Sequence, residues 1–156
     1  MSKQYLTTEN APAAIGPYSQ AVRVGQFVYT SGQGGLDPTT NKMVAGGVSE
    51  QAEQTMQNLQ SVLAAAGLSM ENVIKTNIYL RYIKDFQAVN EVYARYFPGQ
   101  KPARSTVAVS ALPLSALVEI EMIAFAPEIE TLVEETKVKL ADKKPKKKGK
   151  KKKKAK

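Results

Sequence analysis

The chain has 156 residues, 43% of them hydrophobic, with no cysteine, no histidine and a formal net charge of +8. The missing residue types exclude a disulfide framework, a thiolate nucleophile, Cys-ligated zinc, Ser-His-Asp and Cys-His catalysis and His-built metal sites, which leaves Asp, Glu, Lys, Tyr, Arg, backbone groups and water as the available chemistry. Residues 1–127 carry nine Lys+Arg and nine Asp+Glu, whereas 128–156 carry thirteen Lys and five acids, so the whole excess of charge belongs to the tail and says nothing about the partners of the body.

In chain order, "QYLTT" (4–8) reads as a short strand and "NAPAAIGPYSQ" (10–20), with its Pro and Gly residues, as a loop. "AVRVGQFVYTSGQ" (21–33) is two β-rich runs joined around Gly25-Gln26, a hairpin signal. The turn-rich stretch 34–47 follows, with Asp37-Pro38 as a turn start. Its leading glycine cluster, "SGQGG" (31–35), lacks the Gly-Lys-Ser/Thr ending and the helix that a phosphate loop needs, and reads as a strand-to-turn transition. From 48 to 67 the period changes: Val48, Ala52, Met56, Leu59, Val62, Leu63 and Ala66 recur every three or four residues, acids lie in the first turns, and Gly67 ends the run. "NVIKTNIYL" (72–80) returns to period two, with Ile74, Thr76, Ile78 and Leu80 on one face. A second helix over 84–97 carries Phe86, Val89, Tyr93 and Tyr96 on one stripe and stops at Pro98-Gly99. Strands at 103–109 and 117–125 close the body.

The order β-β-β-α-β-α-β-β fits an α+β layer: a single sheet with two helices on one face. About 120 residues hardly wrap both faces of such a sheet, so the open face or edge is expected to be covered by oligomerisation. The segment 128–142 reads as a short helix or linker, and 143–156, with eleven Lys in fourteen residues, as a disordered tail. No window approaches 18 apolar residues, and the N-terminus lacks the pattern of a targeting peptide, so the expected location is cytoplasmic, with a nuclear address as the other reading of the lysine tail.

Two features invite chemistry. Glu119 and Glu121 lie two apart on one strand, about 6.6 Å from each other along the backbone, and Ile123 and Phe125 continue their face in apolar form. A solvated strand face, an acid–base pair and the rim of an interface or pocket all fit this pattern. Arg104 opens a strand in "KPARSTV" (101–107). Alternation puts Arg104, Thr106 and Ala108 on one side and Ser105, Val107 and Val109 on the other. The valines read as core, so Arg104 is expected to face away from it. An exposed arginine is one reading. The other is a guanidinium fork for a small carboxylate, with Thr106 beside it and a Glu from the last strand to manage a proton or a water.

At this point "APAAIGPYSQAV", "VYTSGQ", "PARSTVAVSALP" and "VEIEMIAFAP" resemble, in order and spacing, the RidA (YjgF, reactive intermediate deaminase) family over about residues 3–127. The resemblance implies a chorismate-mutase-like α+β fold over 1–127, assembled as a homotrimer with inward-facing sheets in a barrel-like core and sites between subunits. It implies hydrolysis of small 2-imino or enamine acids, such as 2-iminopropanoate and 2-iminobutanoate, to 2-oxo acids and ammonium, with no cofactor and no metal. Arg104 would hold the substrate carboxylate, Thr106 would offer its backbone N–H, Glu119 would orient or protonate, Tyr18 would close the site, and Ser31, Gly32 and Asn90 would line it. Many relatives carry Cys at the position of Thr106. Competing readings are an RNA-directed endoribonuclease or translation inhibitor, and a non-catalytic binding module that meets RNA or anionic surfaces through the lysine tail.

Overall fold

The computed structural model describes residues 2–127. The helix or linker expected over 128–142 and the tail expected over 143–156 lie outside the described residues. The hairpin forms as its sequence requires: β2 (Ala21–Val24) and β3 (Phe27–Thr30) are antiparallel across Gly25-Gln26, and Gly25 takes φ 58°, which a residue without Cβ adopts at little cost. β1 (Lys3–Leu6) adds to β2, and the glycine cluster holds only the two-residue strand β4 (Gln33–Gly34), a strand-to-turn transition as expected.

Helix α1 (Val48–Ala65) starts where the Glu50 carboxylate accepts the Gly47 N–H at 2.7 Å. It ends in a Schellman motif: Gly67, at φ 73°, donates to the Ala64 carbonyl, and Leu68 donates to that of Leu63. β5 (Val73–Leu80), α2 (Phe86–Tyr96), β6 (Ala103–Ala108) and β7 (Val118–Phe125) complete the body. The sheet runs β1-β2-β3-β7-β5-β6, with β4 also on β7. It is antiparallel except for the parallel pair β5–β6, so the mixed sheet with two helices expected from the sequence is what forms.

The core lies between α1, α2 and one sheet face. Met56, Leu59 and Leu63 of α1 meet Val28, Ile78, Leu80, Val118, Ile120 and Met122 of the strands, all essentially inaccessible to solvent. One hydrogen bond ties α2 to the sheet, Thr76 Oγ1 to Tyr93 OH at 2.8 Å. The α2 stripe differs from the expectation: Val92 and Phe97 are buried with Val89 and Tyr93, while Phe86 stays exposed. A register shift between Val73 and Lys75 against β7 likewise buries Val73 and turns Ile74 out to solvent, against the period-two reading. The other sheet face is bare and carries an exposed apolar cluster, with Phe27 edge-on to Phe125 at 5.5 Å and Tyr5, Tyr29 and Val107 exposed.

Candidate functional site

Alternation along β7 sends Val118, Ile120, Met122 and Ala124 into the core and Glu119 and Glu121 to the bare face. The two carboxylates then part company. Glu121 accepts hydrogen bonds from Asn77 Nδ2 at 2.7 Å and Tyr79 OH at 3.0 Å, and is held in the sheet surface. Glu119 has no such tether among the described residues and projects against Gly32. A Cβ on residue 32 would stand 2.8 Å from the Glu119 Cδ and 3.0 Å from its Cγ, so the carboxylate in this position packs directly over the glycine and a larger residue there would displace it. Burial, and secondarily the charge of Glu121, pushes the Glu119 carboxyl above its ordinary value.

Gly32 reaches this place through a bulge. Tyr29 faces Ile123 and Gln33 faces Ile120, so one extra residue is inserted between β3 and β4. Where the ladder breaks, the Thr30 hydroxyl accepts the Met122 N–H at 2.9 Å. Ser31 then fastens the Tyr18 loop to the bulge: its N–H donates to the Gln20 carbonyl and its hydroxyl to that of Ser19 at 2.6 Å. The hydroxyl proton of Ser31 is thereby committed to the fold. Tyr18, half exposed, accepts the Ile15 N–H at 3.3 Å. Tyr18, Ser31, Gly32 and Glu119 thus line one cavity of about 340 Å³, walled also by Pro113, Leu114 and Ala116.

Arg104 and Asn90 lie elsewhere. In the parallel register Arg104, Thr106 and Ala108 stand beside Thr76, Ile78 and Leu80, whose side chains face the helices. This corrects the expectation that Arg104 faces away from the core. The Arg104 guanidinium stacks 5.0 Å from the Tyr93 ring centroid and 5.7 Å from that of Phe86, and Val107, expected in the core, is exposed on the bare face. The reason is that the bare face also carries apolar residues, so a valine does not mark the helix side. Arg104 shares a cavity of about 260 Å³ with Asn90, Tyr93, Phe97 and Lys101. Among the described residues it makes no ion pair; the one salt bridge joins Arg95 to Glu53. Thr106 points the same way, and its hydroxyl is buried without a hydrogen-bond partner. The last strand is not next to β6: β5 lies between them. On opposite sheet faces, Arg104 and Glu119 of one chain cannot meet.

Three polar residues that hold these loops escaped the sequence reading. Gln20, buried, donates to the carbonyls of Thr8, Ala11 and Pro12 and accepts the Thr8 N–H. Asn58 donates to the carbonyls of Gly34 and Leu36, and Gln51 accepts the Leu117 N–H. Gln51 and Asn58, seven apart on α1 beside its apolar stripe, carry a periodic signal; Gln20 carries none. Among the described residues no group of three or more Asp or Glu gathers to hold a metal ion.

The family model described as endoribonuclease L-PSP matches residues 8–126. The chain belongs to that family. A mouse member, named 2-iminobutanoate/2-iminopropanoate deaminase, is 51% identical over 122 residues, covering 78% of this chain and 90% of the mouse protein. A RutC family protein of Pyrococcus horikoshii is 48% identical over 79% of this chain and 98% of its own length. Among solved structures of L-PSP relatives, Escherichia coli TdcF with bound serine superposes with a TM-score of 0.76 at 38% identity, over 80% of this chain and 99% of TdcF. The RidA resemblance read from four sequence motifs is thus a true family relationship, and the α+β fold it implied is the one observed.

Proposed function

We propose that this protein hydrolyses reactive 2-imino and enamine acids to 2-oxo acids and ammonium. The observation that carries the reading is Arg104: a guanidinium stacked on two rings, without an acidic partner among the described residues, in a small cavity with Asn90. Such a fork suits a substrate carboxylate. The names of the mouse relative and of the serine-bound TdcF structure support the same substrate chemistry. Because Arg104 and Glu119 lie on opposite faces of one sheet, this reading requires a second copy of the chain, and the bare apolar face supplies a surface for it. In the proposed homotrimer, Arg104 and Asn90 of one chain meet Tyr18, Gly32 and Glu119 of its neighbour.

The chemistry then needs little more than placement. Arg104 fixes the carboxylate, and the imine carbon, already electrophilic, takes a water oxygen. Glu119 accepts a proton from that water and passes it to the nitrogen, which gives a carbinolamine; it then relays the hydroxyl proton to the same nitrogen, and the C–N bond breaks as the C=O forms, so that ammonia departs. A carboxyl raised by burial suits both directions of proton transfer. Replacing Arg104 with Ala removes a charge-assisted contact of about 2–4 kcal/mol, so kcat/KM for imine hydrolysis falls roughly 30- to 900-fold. Ammonia release coupled to a threonine dehydratase measures this, and an unimpaired Arg104→Ala enzyme contradicts the assignment.

A second reading rests on the tail. Eleven Lys within 143–156 provide a polyanion contact, and the charge-neutral body provides none of comparable density. RNA binding in low salt is then lost on deleting 143–156 while imine hydrolysis survives; RNA binding retained by the truncated chain contradicts this.

A further inference from the structure

We infer that the Glu119 cavity receives the side chain of the imino acid and that Leu114 makes the enzyme prefer bulky aliphatic substrates. The inference rests on the deaminase reading above and deepens it. An imine carbon has three substituents. In that reading the carboxylate goes to Arg104, and the nitrogen with the attacking water goes to Glu119. The third substituent is left with the remaining wall of the cavity, which is aliphatic: Ile15, Leu36, Met43 and Leu114. The cavity, at about 340 Å³, is roughly ten times the ~30 Å³ share of one water, ample for a branched four-carbon group.

Leu114 is held in place at a conformational cost. It takes φ 53° and the next residue, Ser115, takes φ 57°, two successive non-glycine residues in the left-handed region. The loop is clamped at its exit: Ala116 donates to the Pro113 carbonyl at 3.1 Å, and Leu117 donates to the Oε1 of buried Gln51 at 2.8 Å. The result is a leucine 56% exposed that lines the cavity together with a second exposed aliphatic residue, Ile15 at 54%. Neither side chain contributes to the core between helices and sheet.

Burying one methylene is worth about fourfold in binding. The test compares kcat/KM for the imines formed in situ by D-amino acid oxidase from D-leucine and from D-alanine. The wild-type protein is expected to favour the leucine-derived imine about tenfold or more. Leu114→Gly suits the left-handed backbone and removes only the side chain, and it lowers the leucine-to-alanine ratio at least fivefold; Leu114→Met keeps the apolar volume and restores it. A wild-type ratio near one, or a Leu114→Gly loss equal for both imines, overturns the inference and makes Leu114 a residue of the fold or assembly. A wild-type protein that hydrolyses neither imine fails the deaminase reading itself, a separate outcome.

Discussion

At the scale of single residues, the pair Glu119 and Glu121 shows how neighbours of one type are given different work. Glu121 is satisfied by Asn77 and Tyr79, and Glu119 is left in a pocket wall against Gly32. A carboxyl whose folded pKa is raised contributes stability below the ordinary value of 4.5 and loses it as pH rises through the folded value. Glu119→Gln therefore raises the thermal midpoint at pH 7, and the gain over wild type shrinks to nothing below pH 4.5; a destabilised variant at pH 7 would show that Glu119 serves the fold. The same variant loses imine hydrolysis. Strand alternation made the shared face of the two glutamates legible from sequence. What told them apart was not legible, because it lies in Asn77, Tyr79 and Gly32, partners brought in from β5 and from the bulge before β4.

At the scale of elements, the sheet and both helices follow from local pattern. The 3.6-residue period and Gly67 bound α1, and the glycine of the 25–26 turn joins β2 to β3. Faces were harder to read than elements. On β6 the valines suggested the core side, yet Val107 lies on the bare face and Arg104 under α2, since a sheet with apolar residues on both faces defeats alternation as a guide. On β5 the bulge exchanged Val73 for Ile74. The loops that shape the cavity hang on buried polar side chains, and Asn58 is the test. It is buried and carries the Gly34 and Leu36 carbonyls at 3.1 and 2.9 Å. Asn58→Ala leaves both acceptors without this donor and costs about 2–4 kcal/mol in denaturant unfolding. A cost under about 0.5 kcal/mol would mean that the loop is anchored elsewhere.

At the scale of the whole molecule, the fold places a cation and a carboxyl group suited to one reaction on opposite faces of one sheet, with an apolar surface between chains still to be covered. That division is the central claim: Arg104 of one chain works with Glu119 of another. Motif order in the sequence pointed to both residues, but not to their separation, which is set by the parallel register of β6 on β5. The most direct measurement mixes two inactive variants, Arg104→Ala and Glu119→Gln, by refolding them together in equal amounts, and assays imine hydrolysis. Sites built from two chains recover about a quarter of wild-type activity, the share of randomly paired interfaces with both residues intact. A mixture as inactive as its components would contradict the claim and show that Arg104 and Glu119 do not serve one site.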